Sequence, residues 1–429
     1  MPTPQDPPPD VDTAAPEVHE ADPIVISEYD PTPPLRLSEP ARTYLRDEIN
    51  GGRNRDGDRI SVTYTHDGAA ILNATSYVGL VSLPEGPTIE IQPKVPATNL
   101  LHILKYATNI TAQTYEQETE LQAGNLFVEA LAVLYERELQ RVRRRGLHTG
   151  YVDRQAAEHR LRGRLNIQRQ LNRQPPVPTK FECDYQELTP DIPINQGILR
   201  VTELLTSMVS TEETTHALQR HAHALRRQVT RTPITATELA HVELTRLNDY
   251  YENILRLTKL FLRNSHIGDF TTGSRTAFSL LVNMNTVFER AVERAAETAI
   301  TDRGGWRVTR QDTSKQLIDD GRFNVTLTPD FTIRDKSGTV RLVGDAKWKQ
   351  GTPPNADFYQ IAAYQQAHDA PGILAYPSQA GAIADSCRLT NGQHLELVEL
   401  PTSESHDAYS AFQQAMTSAM ETAINSVLK

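Results

Sequence analysis

Apolar and polar positions alternate along this chain in distinct regimes. Between Arg59 and Lys94, short alternating runs (RISVTYT, AAILNATSYVGLVSL, TIEIQPK) are separated by His66-Asp67-Gly68 and Pro84-Glu85-Gly86, the turn chemistry of β-hairpins. Just upstream, LSEPARTYL has a capping Ser38 with Pro40 in the first turn, which predicts a short helix through about Ile49, ended by Gly51-Gly52. Helical spacing takes over after Pro96. TNLLHILKYA is apolar at 100, 101, 103, 104 and 107, and 125–145 repeats the pattern through Leu126, Phe127, Ala130, Leu131, Leu134 and Leu139 before Gly146 stops it. Residues 193–267 read mostly as helices, with breaks near Ser210-Thr211 and Thr232-Pro233. The last third mixes both periods: a helix over 275–300, strands at WRVTR, FNVTLTPDFTIRD and GTVRLVGDAKW, a helix over 355–368, and a strand GILAYP. Residues 1–34 hold ten prolines and scattered acids with almost no apolar clustering, which predicts a disordered tail.

These regimes predict an α+β multidomain chain. The expected parts are the tail (1–34), a small β-rich N-terminal domain with helices (35–165), a mostly helical connector (166–270) and a C-terminal α/β domain (271–429). A length of 429 residues suits two or three folding units. No apolar run approaches the ~20 residues that span a bilayer, and the first thirty residues lack an apolar h-region, so a soluble, cytoplasmic protein without a membrane partner is expected. Cys183 and Cys387 lie outside any C-x-x-C spacing, which excludes a disulfide framework or a zinc site and predicts buried thiols. His216, His221 and His223 miss the i,i+4 spacing of helical metal pairs and read as a solvated face.

Charge sharpens the picture locally. The net charge is −10, but residues 1–40 alone hold nine acids against Arg36, leaving the rest nearly neutral. Residues 137–173 contain eleven arginines against Glu138, Asp153 and Glu158. Arg141, Arg143, Arg144, Arg145, Arg162 and Arg164 are therefore candidates for contact with DNA phosphates or with an acidic partner surface. A solvated helix face with internal ion pairs would have the same composition.

The residues that suggest chemistry lie in the last third. Pro329-Asp330 is followed, after fourteen residues, by Asp345-Ala346-Lys347, and FTIRD, KSG and TVRLVG between them read as strand, turn and strand. A hairpin would return Asp330 beside Asp345, and residues two apart in a strand share a face, so Asp345 and Lys347 point together. Two carboxylates and an ammonium suit a hard divalent cation that activates water and neutralises a scissile phosphate, with Lys347 orienting the water or countering developing charge. An ordinary surface hairpin with a salt bridge would use the same residue types. Glu289 on the preceding helix could reach the same metal, and Gln360 and Tyr364, an i,i+4 pair on the following helix, could grip substrate or position the metal water. Trp348 reads as a wall of this site or as core.

The order helix acid, Pro-Asp, Asp-Ala-Lys, Gln-x-x-x-Tyr resembles the PD-(D/E)XK (restriction endonuclease-like) nuclease superfamily, and its RecB-like branch in particular. GLVSLPEGPTIEIQPK, NLLHILKYA, RRRGLHTGYV, LRGRLNIQRQL and NMNTVFERAV, in this order from about Ser61 to Pro377, resemble the McrC family, the nuclease subunit of McrBC 5-methylcytosine restriction systems. The resemblance implies a Mg²⁺-dependent DNA endonuclease, with Mn²⁺ as an alternative ion, acting in defence. Asp330, Asp345 and Glu289 would hold the metal and Lys347 would assist. It also implies a McrB-like AAA+ GTPase ring as partner, which recognises the modified base, hydrolyses nucleotide and receives the N-terminal domain. On this last point the residues agree independently: the chain has no G-x-x-x-x-G-K-[ST] loop, so it is expected to bind no nucleotide. Two rival readings are a RecB-like nuclease in repair or another defence pathway without a ring partner, and a non-catalytic activator of an AAA+ ring.

Overall fold

The computed structural model describes residues 24–51, 58–110, 127–173, 179–267, 277–318, 322–404, 406 and 408–428. The chain is a mixed α and β protein that divides into two compact units, Met1–Lys94 with His266–Met284, and Val95–Ser265 with Asn285–Lys429. These units cut the chain at different places from the composition-based domains, because one strand is borrowed across a long sequence interval. Among the described residues, no helix is long and apolar enough to cross a membrane.

The first unit is built on a sheet with the order Ile24–Ser27, Thr88–Gln92, Tyr77–Ser82, Phe278–Asn283, Ser265–Ile267. Ile24–Ser27 pairs in parallel with Thr88–Gln92, so the predicted tail is corrected at its C-terminal end: the apolar run Ile-Val-Ile adds a strand at residue 24. The expected helix over 275–300 is corrected too. Its first part, FSLLVN, forms the strand Phe278–Asn283, antiparallel to Tyr77–Ser82, and the helix starts only at Met284. That pairing needs Gly79, whose backbone lies at φ +144° and where a Cβ would meet the Leu280 carbonyl oxygen at 1.9 Å. The hairpin Ile60–Tyr64 with Ala70–Ala74 forms as its alternation predicts. Ser38 caps the helix Glu39–Thr43, accepting from the Ala41 N–H at 3.3 Å, and the chain continues as a wider π-helical turn through Ile49. Tyr44, Leu45, Leu72, Val81, Ile91 and Leu281 form the core of this unit.

The second unit carries the helices Ala97–Ala107, Phe127–Arg145, Pro193–Met208, Glu212–Arg226 and Glu252–Asn264, with helix breaks at the two predicted places. Gly150–Glu158, Phe181–Thr189 and Arg164–Leu165 form a three-stranded sheet. A six-stranded sheet runs in the order Arg307–Arg310, Phe331–Arg334, Val340–Ala346, Gly372–Pro377, His394–Leu400, Asp385–Arg388. Its three central strands from Val340–Ala346 to His394–Leu400 are parallel and the outer pairings are antiparallel. Helix Asn355–His368 makes the crossover between the first two parallel strands, as parallel pairing requires. Ile361 and Tyr364 of that helix pack on Val343, Leu374 and Leu395 of the sheet. FNVTLTPDFTIRD, expected as one strand, divides into Val325–Thr326, paired with Gln316–Ile318, and Phe331–Arg334, with Pro329 between them. Cys183 is buried as expected, whereas Cys387 is only half-buried.

Candidate active site

The hairpin Phe331–Arg334/Val340–Ala346 fixes the site. Its turn is held by Asp335, whose Oδ1 accepts from the N–H groups of Ser337 at 2.9 Å and Thr339 at 3.1 Å. The register sets Phe331 opposite Gly344, so Asp330 stands beside Asp345. The buried Phe331 ring fills the place of a side chain at Gly344: a Cβ there would lie 2.0 Å from the ring. Asp330 is half-buried and its Oδ2 accepts from the Ala346 N–H at 2.7 Å. Asp345 is buried and pairs with Lys347, Nζ to Oδ2 at 2.5 Å. Lys347 also donates to Gln360 Oε1 at 2.9 Å, Gln360 Nε2 donates to the Tyr364 hydroxyl at 2.8 Å, and that hydroxyl donates to the Thr328 carbonyl at 3.1 Å. Thus five of the six predicted site residues, Asp330, Asp345, Lys347, Gln360 and Tyr364, come together in one chain of polar contacts.

Glu289, the sixth, is half-buried on helix Met284–Ala299 and acts on Asp330 through its charge. Among the described residues no three His, Cys, Asp or Glu side chains are grouped so as to hold a metal ion; the hairpin register brings together the two acids Asp330 and Asp345. Burial, the Asp345 charge and then the Glu289 charge push the Asp330 carboxyl up to about 9, against the pull of the Ala346 N–H and Lys347. Burial also raises Asp345, although Lys347 and a hydrogen bond from Asp330 work the other way. Burial opposes the Lys347 ammonium, but the charge and hydrogen bond of Asp345 outweigh it and raise Lys347. Both carboxyls are therefore pushed up beside a fixed cation, the direction expected of two carboxylates crowded together out of water. Those oxygens are the donors available to a hard cation, and the crowding of negative charge is what such a cation would relieve.

Sequence reasoning missed a second polar group beside this one. Lys349 Nζ lies 2.8 Å from Asp357 Oδ1, and Asp357 Oδ2 accepts from the Tyr376 hydroxyl at 3.0 Å. The available signals were the continued alternation 345, 347, 349 and the three-residue step from Asp357 to Gln360 on the helix. Trp348 is buried, with its ring 5.4 Å from that of Phe288, as a core residue would be.

The arginine field is more neutralised than its own window suggests. Strand Phe181–Thr189 places Glu182, Asp184 and Glu187 against it: Arg162 meets Glu187 at 3.5 Å and stacks 4.0 Å over the Tyr185 ring, and Arg169 meets Glu182 at 3.0 Å. Arg141 pairs with Glu138 at 3.0 Å and Arg145 lies over Tyr250, while Arg144 and Arg164 are exposed. Arg143 approaches His221 Nδ1 at 2.6 Å, and His221 Nε2 reaches Glu136 at 2.9 Å. His221 is buried, which corrects its assignment to a solvated face: it bridges helices Phe127–Arg145 and Glu212–Arg226.

Comparison with known proteins bears on the whole of this arrangement. No curated protein matches the sequence. Among solved structures, the refined half-complex from a tetradecameric assembly of Thermococcus gammatolerans McrB AAA+ hexamers with bound McrC is similar at TM-score 0.60 and 19% identity, covering 92% of this chain and 100% of that one. A chain of the cryo-EM Thermococcus gammatolerans McrBC complex is similar at TM-score 0.43 and 20% identity, covering 65% and 88%. The first of these likenesses concerns the fold. The sequence itself matches the McrBC 5-methylcytosine restriction system component family over residues 72–377, an interval holding the strands Tyr77–Ser82, Thr88–Gln92 and Phe278–Asn283 of the first unit and every polar residue of the site. Since the match spans most of its length, the chain belongs to the McrBC 5-methylcytosine restriction system component family.

Proposed function

We propose that this chain is the DNA-cutting subunit of a McrBC-type, modification-dependent restriction system, with a PD-(D/E)XK nuclease site in its C-terminal part. The observation that carries the reading is the pairing of Asp330 with Asp345 at the end of a hairpin, with Lys347 on the same side and anchored to Gln360. The residues fit a divalent cation such as Mg²⁺: Asp330 and Asp345 supply hard oxygen ligands, their raised proton affinity marks a site short of positive charge, and Glu289 adds to that negative charge. A bound cation would supply an activated water and neutralise charge on the scissile phosphate. Lys347, held between Asp345 and Gln360, counters the charge that develops on the phosphate as its ester bond breaks. Tyr364 holds Gln360, and through it the lysine, in place.

Recognition of the modified base and nucleotide hydrolysis belong, in this reading, to a McrB-like AAA+ GTPase ring, since the chain has no phosphate-cradling loop of its own. The similar solved structure is of McrC with McrB hexamers, which supports such a partner. The exposed turns around Asp67 and Glu85 are the surfaces proposed to meet it. A purely non-catalytic activator would have no use for the buried Asp345 and the half-buried Asp330 set side by side, an arrangement that is costly without a task.

The test is Asp345→Ala in the chain combined with its AAA+ partner, on DNA carrying 5-methylcytosine and with Mg²⁺ present. Cleavage should vanish while partner binding and stimulated nucleotide hydrolysis persist. Cleavage at the wild-type rate would show that the site lies elsewhere.

A further inference from the structure

Lys349, Asp357 and Tyr376 form a charged group beside the site for which the proposed chemistry has no task. After Ala346 the chain makes a tight turn, in which the Lys349 N–H donates to the Lys347 carbonyl at 2.9 Å. Trp348 is buried on the side of Phe288. The two lysines then reach one helix three residues apart, Lys347 to Gln360 and Lys349 to Asp357. Asp357 is a poor surface partner: its side chain is 4% exposed and its second oxygen is taken by Tyr376 from the neighbouring parallel strand, whereas Lys349 remains 47% exposed. Burying a carboxylate this fully is costly, and an ion pair that leaves its cation half in water returns little stability. What the arrangement achieves is position. A flexible four-carbon side chain is pinned at one end of its range, and only some of the three ammonium donors are directed at Asp357.

We infer that Lys349 is a substrate-binding residue that contacts a DNA phosphate adjoining the one cut, and that Asp357 is the residue that positions it. The inference rests on the endonuclease reading, to which it adds the direction in which the strand leaves the acid pair: along the turn from Lys347 to the first turn of helix Asn355–His368. A lysine meets a phosphate as a point charge and carries no base information, so the contact should add affinity without sequence preference.

The experiment uses the full chain with its AAA+ partner and a methylated duplex, measuring single-turnover cleavage against DNA concentration at several salt concentrations. Lys349→Met should raise the half-saturating DNA concentration about tenfold at low salt, the loss of one charge-assisted contact, with a much smaller fall in the saturated rate. The log–log dependence of binding on salt should lose about one unit of slope. Lys349→Arg should restore most of both. Asp357→Asn, which keeps volume and the Tyr376 contact, should weaken half-saturation in the same direction, with melting temperature as the control for folding. An unchanged half-saturation and salt slope in Lys349→Met would overturn the inference and leave the endonuclease reading intact. So would a collapse of the saturated rate to that of Asp345→Ala, which would make Lys349 part of the chemistry. A wild-type complex that fails to cut would instead remove the reading on which the inference stands.

Discussion

Gly344→Ala tests whether the fit between the two hairpin strands sets the active geometry. The added methyl would lie 2.0 and 2.2 Å from two carbons of the Phe331 ring, and Phe331 is fully buried. The ring must move, and it belongs to the residue after Asp330. Overpacking of this kind costs about 1–3 kcal/mol. With a unit of this size, each kcal/mol lowers the melting temperature by about 2–4 °C. The larger effect should be on cleavage. A displacement of Asp330 by about 1 Å relative to Asp345 is of the size that costs about a hundredfold in rate. Melting curves and single-turnover cleavage in Mg²⁺ measure the two effects. Phe331→Leu in the Gly344→Ala background makes room for the methyl and should recover both, with a coupling of at least about 1 kcal/mol in the double-mutant cycle. If Gly344→Ala melts and cuts like wild type, the register and close packing assigned to this hairpin are wrong. If the stability falls but the rate does not, the Asp330–Asp345 geometry is not what limits cleavage.

Three further outcomes are expected. Burial, relieved by Arg310 and reinforced by Glu289, pushes Glu293 up to about 7 from 4.5, so the unfolded chain loses this proton first and stability falls as pH rises across that window. Glu293→Gln should remove a loss on the order of 3 kcal/mol between those limits, and melting followed from about pH 5 to pH 8 that falls equally in both proteins would contradict it. Deleting residues 1–23 should leave melting and cleavage unchanged, whereas extending the deletion through Ser27 removes the strand paired with Thr88–Gln92 and should lower the melting temperature; equal effects would deny that strand its role. Replacing the turn residues around Asp67 and Glu85, with Gly68 and Gly86 kept, should weaken stimulation of the partner's nucleotide hydrolysis. If charge reversals at Arg144 and Arg164 abolish that stimulation while the turn variants keep it, the docking surface lies on the arginine segment.

The parts of the fold that were legible in the sequence are those decided by neighbours in the chain. Alternation plus a turn with its own side-chain contacts gave the Phe331–Arg334/Val340–Ala346 hairpin, and with it the meeting of Asp330 and Asp345. The capped helix at Ser38 and the Gln360–Tyr364 pair are of the same kind. What was not legible depended on remote partners. FSLLVN has no strong period, and only pairing with Tyr77–Ser82, some two hundred residues earlier, makes it a strand. The Arg137–Arg173 window looked strongly basic because the acids that answer it, Glu182, Asp184 and Glu187, arrive on a strand outside it. Lys349 and Asp357 are separated by a loop whose path no periodicity predicts, so their contact emerges only once strand and helix are placed.

The strand Phe278–Asn283 also bears on how the polypeptide is made. The sheet of the first unit cannot be completed until about 280 residues have left the ribosome, since its fourth strand follows the whole of Val95–Ser265. During synthesis, Tyr77–Ser82 must wait with one edge unpaired while the intervening helices emerge, a state in which exposed edges invite association with other nascent chains. Contacts closing so large a loop form late and slowly. A fragment ending before residue 278 would carry that open edge permanently, so expression of the N-terminal half alone should give an aggregating product, and a soluble version would need Phe278–Asn283 supplied in trans or spliced after Gln92.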